Sequence, residues 1–210
     1  MPAPRTDTSA RPTLAERRKA ATRLEIAHTA ARLFAAHGTA EVTAEQIAAE
    51  SGVALRTFYR YSRTKEDAVE PMLATGAQRW LQIIASGPPR LPTLTELEAA
   101  AVRSMTIEDS EDLDLTRGLL RAMEGDPALR AIWHRINMEG ERELRRVLTD
   151  LAGADTDPLQ VRLLAAAAAG GIRIALEEWA AEDNSSPVPP SELAARSMRA
   201  LGAGIGSAER

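Results

Sequence analysis

The chain has 210 residues, 44% of them apolar, and a net charge of −4, which suffices for one large domain or two small ones with a real core. It holds 40 alanines against 17 valines and isoleucines together. Alanine favours helix and β-branched residues favour strand, so a sandwich, a barrel or a parallel sheet is excluded. With no cysteine, disulfide scaffolds, thiolate metal sites and cysteine nucleophiles are excluded too.

Residues 1–12 are polar, carry Arg5 and Arg11, and read as a disordered arm without the apolar centre of a signal peptide. No run of about 18 consecutive apolar residues occurs, so a cytoplasmic protein without a membrane span is expected. Thr13-x-x-Glu16 is a capping box that opens a helix running to about His37, with Gly38 as its stop. Ile26, Ala30, Leu33 and Phe34 form its buried stripe. Thr43-x-x-Gln46 opens a short helix of about 44–51, which Gly52 breaks. A third short helix spans about Leu55 to Tyr61. Thr64-x-x-Asp67 caps a fourth that runs past Trp80 to about Ala85, with Pro71 as an internal kink. Gly87 to Pro92 is the clearest break in the middle of the chain. A helix of about Thr95 to Met105 follows. Glu108, Asp109, Glu111, Asp112 and Asp114 read as a solvated acidic loop before a helix of about Leu115 to Glu124. Asp126-Pro127 and Asp157-Pro158 each place Pro just after an N-cap, and open helices reaching about Ala152 and Ala181. A loop from Asp183 to Pro189 precedes a last helix, about Pro190 to Leu201, and a Gly-rich tail. The expected fold is all-α, with about nine helices.

Charge divides the chain. Residues 1–65 hold 11 Lys and Arg against 6 Asp and Glu, whereas residues 66–210 hold 15 against 24. A basic end on an acidic body suggests two parts with different partners. The basic end contains two short helices joined by a Gly-containing turn, a helix-turn-helix. Its second helix must be polar on one side to enter a major groove and packed on the other. Val53 and Phe58 face inward on this reading, while Arg56, Thr57, Tyr59, Arg60 and Tyr61 lie outward or at the rim. Arg56 has the fork to donate two hydrogen bonds to a guanine edge. Thr57, Tyr59, Tyr61 and Lys65 are types that bond phosphate oxygens. An ordinary helical hairpin with a solvated basic face is the alternative on geometry alone.

The segment Ile26 to Val69 resembles the DNA-binding domain of TetR-family transcriptional regulators. The residues that carry the likeness are Ala30 to Gly38, Val42 to Ala48, Gly52-Val53, Thr57 to Tyr61 and Lys65 to Asp67. The resemblance implies an all-helical homodimer, a helix-turn-helix domain over 13–68 and a ligand-binding and dimerisation domain over 69–210. It implies phosphate contacts from Thr43 and Lys65, major-groove placement of Arg56 and Thr57, and backbone or base contacts from Tyr59 and Tyr61. Three positions depart from the family pattern. Ala54 replaces a usual Ser, so the recognition helix lacks its N-cap hydroxyl. Leu55 takes a place that is often polar or basic. Ser62 replaces a usual Phe, which loosens the joint to the fourth helix unless Tyr61 or Met72 compensates.

The second half resembles, in Leu129-Arg130, the Ala165 to Ala169 tract and Glu177-Glu178-Trp179, the subgroup that takes acyl-CoA-like ligands. Candidate pocket liners are Trp80, Ile84, Met105, Leu119, Met123, Trp133, Met138 and Arg173, with Arg121 and His134 as further anchors for an anionic group. The helix holding Leu164, Ala167, Gly171 and Ile174 is apolar over much of its circumference and must be buried on several sides. By the family resemblance it pairs with its copy. His28, His37 and His134 have no metal-ligand spacing, and there is no nucleophile-elbow or phosphate-loop motif. Gly202, Gly204 and Gly206 lack the flanking strand and helix of a dinucleotide loop. The expected function is a ligand-responsive regulator, most simply a repressor. It binds a palindromic double-stranded DNA operator as a homodimer and is released by a small hydrophobic effector, with no cofactor and no metal. The alternatives are an activator, or a ligand-independent regulator whose second domain binds a protein.

Overall fold

A computed structural model of the chain describes residues 13–106, 110–181 and 188–204. The N-terminal arm, Glu108 and Asp109, most of the loop before the last helix and the end of the tail lie outside them. Among the described residues there are nine α-helices, one short 3-10 turn and no strand. The helices are α1 (Leu14–His37), α2 (Ala44–Glu50), α3 (Leu55–Tyr61), α4 (Glu70–Ala85), α5 (Leu94–Ser104), α6 (Ser110–Ala122), α7 (Pro127–Leu151), α8 (Pro158–Ala181) and α9 (Pro190–Ala203).

The signals at the helix ends are made by the expected atoms. Both partners of the Thr13–Glu16 and Thr43–Gln46 capping boxes are in place. Gly38 closes α1 at φ 77° and Gly52 turns the chain between α2 and α3 at φ 68°, both in the left-handed region where a side chain is strained. The Thr64 hydroxyl accepts the Asp67 amide, but it opens the 3-10 turn Glu66–Val69 and not an α-helix. Pro71 therefore sits in the first turn of α4, where its missing N–H costs nothing, and not in the interior as a kink. Helix α5 starts one residue before the expected Thr95, at a third capping box, Thr93 with Glu96. Helix α6 begins at Ser110, so Glu111 and Asp112 belong to its first turn, where the helix dipole favours acidic groups. They are not part of a loop.

Helices α1 to α3 close on a filled interior in which Ile26, Val42, Ile47 and Phe58 are fully buried. Helix α4 leads out of this unit and packs on α1, α5 and α7. Helices α5 to α9 form the second body, with α8 against α6, α7 and α9. Helix α8 is long and apolar enough to cross a membrane by length and composition. Part of that apolar surface is accounted for inside the chain, since Val161, Ala165, Ala168, Ala175 and Trp179 are buried.

Gly171 belongs to this inner face: a Cβ there would lie 3.1 Å from Leu201 Cδ1 and 3.7 Å from Ser197 of α9. It serves close approach between α8 and α9 within one chain. Leu164 is half-buried against the same core. Leu159, Leu163, Ala167 and Ile174 point the other way, with Leu163 61% exposed and Ile174 48% exposed.

Candidate nucleic-acid interface and effector cavity

At about 100° per residue, Arg56, Tyr59 and Arg60 share one face of α3 and Phe58 lies opposite. The structure has that arrangement: Arg56, Tyr59 and Arg60 are exposed, Phe58 is fully buried, and Thr57 and Tyr61 are half-buried at the flanks. The Phe58 and Tyr59 rings meet edge to face at 5.4 Å, and the Arg60 guanidinium stands 5.2 Å over the Tyr61 ring. These contacts hold the outward side chains without covering them. Ala54 makes no side-chain cap for α3. Ser62 is buried, and Met72 and Tyr61 pack into the same core, so apolar side chains fill the joint. Thr43 is exposed; its Oγ accepts the Gln46 amide at 3.2 Å, which leaves its own proton for a donor bond.

Lys65, for which the resemblance implies a phosphate contact, is turned toward the loop after α1. Its ammonium donates to the carbonyls of Thr39 at 2.6 Å and Val42 at 2.7 Å, and so ties down the loop that presents Thr43. Three hydrogens on one compact cation suit two converging carbonyls, a pairing that residue type alone does not reveal.

This unit is fastened to the second body on two sides. On one side, Arg135 of α7 donates to Asp67 and Glu70, both at 2.9 Å. The Asp67 hydrogen bond, more than its charge, raises the Arg135 pKa further above its ordinary value. Asp126, the N-cap of α7, accepts the Ala128 amide at 2.8 Å and the Leu129 amide at 3.0 Å. Burial alone would raise its carboxyl pKa. The Thr39 hydroxyl, the Leu129 and Ala128 amides and the Lys65 ammonium outweigh that and hold it below the carboxylate range. On the other side, His28 Nδ1 of α1 lies 3.3 Å from Asp112 Oδ1 of α6.

Among α4, α6, α7 and α8, with α1 at its edge, lies a cavity of about 170 Å³. Its walls are mainly apolar and include Met72, Leu73, Trp80, Met105, Trp133, Ile136 and Leu176. The Trp80 indole donates to the Leu97 carbonyl at 3.3 Å and that of Trp133 to Glu177 at 2.8 Å, so both rings offer apolar faces. Of the expected liners, Trp80, Met105 and Trp133 come together here. Met123 and Arg173 line a second, more open cleft with Arg121 and His134, on the far side of Trp133. There Arg173 is paired with Glu177 at 2.7 Å and Arg121 donates to the Ala180 carbonyl. Ile84 and Leu119 are buried core and line neither space. Met138 is 50% exposed on the outer side of α7, which removes it from the pocket. Leu24 and His28 of α1 also form part of the cavity wall. Sequence reasoning missed them, because the periodic stripe of α1 begins only at Ile26.

A filled helix-turn-helix unit with an outward Arg–Tyr–Arg face, joined to a helical body around an apolar space, is the architecture of a DNA-binding transcriptional regulator. Residues 26–70 match the family described as bacterial regulatory proteins, tetR family, and residues 91–206 match the MftR C-terminal domain. The chain belongs to the TetR family. It is 29% identical over 174 residues to TcmR, an HTH-type transcriptional regulator of Streptomyces glaucescens, across 80% of this chain and 77% of TcmR. It is 24% identical over 189 residues to MftR of Mycobacterium tuberculosis, a regulator named for mycofactocin biosynthesis, across 90% of this chain and 93% of MftR. Among solved structures, the fatty acid degradation regulator FadR from Bacillus halodurans shares the fold. Its TM-score is 0.57 at 18% identity, covering 90% of this chain and 97% of that one.

Proposed function

We propose that the protein is a repressor that binds a palindromic operator as a homodimer and is released when an apolar small molecule enters the cavity lined by α4, α6, α7 and α8. The observation that carries the reading is the exposed Arg56, Tyr59 and Arg60 face set back to back with buried Phe58. Arg56 is the base-reading residue. Thr57, Tyr59, Arg60 and Tyr61 serve the phosphate backbone and neighbouring bases, and Thr43 adds a phosphate contact from α2.

The outer stripe of α8 supports a dimer. Leu159, Leu163, Ala167 and Ile174 follow helical spacing on the face that α6, α7 and α9 leave open. Two such helices with their α9 neighbours form a four-helix bundle, and the two-fold axis sets the two α3 helices for successive major grooves. Leu163→Glu with Ile174→Glu is expected to give monomers in light scattering with helicity retained. A wild-type protein that is monomeric at micromolar concentration contradicts the two-fold operator reading.

The cavity's aromatic and methionine walls support an effector that is bulky and largely apolar. Titrating Trp80 and Trp133 fluorescence with long-chain acyl compounds, with and without operator DNA, tests this. Linkage requires that a ligand which weakens operator binding itself binds less tightly when operator is present. Tight binding of a sugar or a metal ion, with no response to any apolar compound, overturns the effector class.

A further inference from the structure

The wall of the cavity is not confined to the sensing domain. Helix α1, whose Ile26 and Phe34 anchor the core of the DNA-binding unit, supplies Leu24 and His28 to it. Asp112 of α6 lines the same cavity, with its carboxylate 3.3 Å from His28 Nδ1. The fastenings made by α7 are of another kind. Arg135 and its partners Asp67 and Glu70 do not line the cavity. The two bodies are therefore joined by contacts away from the cavity and by one ion pair on its wall.

We infer that the His28–Asp112 bridge is the contact through which filling of the cavity reaches the DNA-binding domain, with the α7 fastenings as the fixed pivot. The inference rests on the effector reading above. Its physical basis is size and support. The space of about 170 Å³ is below the roughly 300–1,000 Å³ usual for ligand pockets, so a bulky occupant must displace a wall. Helix α6 is the cavity wall that packs on both α1 of the DNA-binding unit and α8, whereas α4 and α7 are each held by at least three elements. Moving α6 outward pulls Asp112 from His28. An occupant with a polar group beside Asp112 competes for the same carboxylate. Both side chains are about one-third exposed, at 31% and 34%, so the bridge is weak as a strut and easily exchanged. A contact made in one state and absent in the other is what a coupling between two sites requires.

The test needs no knowledge of the effector. Full-length protein selects its palindromic duplex from random sequence, and binding to that duplex is measured for a set of variants. Asp112→Asn and His28→Gln are each expected to weaken binding by about threefold, the scale of a part-exposed ion pair. The double variant should be no worse than either alone. The exchange of both residues, His28→Asp with Asp112→His, should restore binding.

Gly76 of α4 lines the cavity and an added Cβ meets nothing within 4 Å, so Gly76→Phe acts as a built-in occupant. It should weaken binding about threefold in the wild type and add nothing to Asp112→Asn. Ala169→Leu from α8 is a second filler, and circular dichroism melts establish that each variant is folded. Arg135→Gln is the control: its effect should add in full to that of Gly76→Phe. Unchanged operator binding in Asp112→Asn overturns the inference. So does full additivity of Gly76→Phe with Asp112→Asn, which leaves the effector reading standing with a different route. Folded Gly76→Phe and Ala169→Leu variants that both bind operator normally overturn the effector reading itself.

Discussion

Between Ile26 and Val69 the interior is full: Ile26, Ile47, Phe58 and Val69 have no exposed surface. Beyond α4 the helices enclose an empty space of about 170 Å³ and leave Leu163 and Ile174 on an open outer face. The first unit presents polar side chains from a tightly packed support. The second keeps apolar surface facing a void and facing solvent. Atoms around a void lack partners on one side, so that body deforms at lower cost than the first. A reader of DNA needs fixed side chains, and on the effector reading proposed above a sensor needs walls that yield; the two packings divide along that line.

The contrast is broken most directly by large-to-small substitutions. Phe58→Ala is expected to cost about 3–5 kcal/mol, because a fully enclosed ring leaves a void that its neighbours cannot fill. Ile136→Ala, on the cavity wall, should fall near the lower end for its type, about 2 kcal/mol. Denaturant midpoints compare the two. Equal losses would mean that the cavity does not soften its walls.

Lys65 sharpens the comparison at the edge of the DNA-binding unit. Lys65→Met leaves the Thr39 and Val42 carbonyls without their donor, at an expected cost of about 1–3 kcal/mol in stability. Operator affinity should fall for all sequences alike, with the salt slope unchanged. A slope shallower by about 1 with stability intact would mean that the ammonium meets a phosphate instead.

Asp126 has the smallest effect and lies at the junction of the two bodies. Asp126→Ala should cost about 1 kcal/mol through the lost N-cap. Asp126→Asn keeps a cap and removes the charge. The folded carboxyl has a lowered pKa, so its stabilising contribution is present above about pH 4. It is lost as pH falls through the lower folded value. The Asn variant should therefore lose less stability than wild type on acidification, as thermal melts from neutral to acid pH would register. Identical acid limbs would remove the charge from the account of this joint.

Legibility in the sequence followed the range of each interaction. Thr13, Gly38, Thr43 and Asp126 act within four residues of themselves, and the helix ends they mark lie where the sequence puts them. The Thr93–Glu96 box was equally local and equally readable, but the start of α5 is set at Thr95 if the box is overlooked. The acidic run before Leu115 misleads because charge density suggests solvent, whereas a helix N-terminus accepts acids equally well. Phe58 inward and Arg56 outward follow from helical period alone. The inward turn of Lys65, the placing of Gly171 against α9 and the arrival of His28 at a cavity all depend on partners many residues away. Periodicity tells which face of a helix is covered and not what covers it. For α8 that leaves a neighbour in the same chain and a neighbour in another chain indistinguishable.

The central claim is that the outward face of α3 reads bases in two symmetric half-sites, and Arg56→Ala tests it most directly. Wild-type and variant protein each select duplexes from random sequence, and binding is then measured against every single-base change in the preferred site. The variant is expected to lose about 1–3 kcal/mol on the preferred sequence and to relax discrimination at one base pair in each half-site, placed symmetrically about the centre. A uniform loss across all sequences, or a selected site without two-fold symmetry, would contradict it.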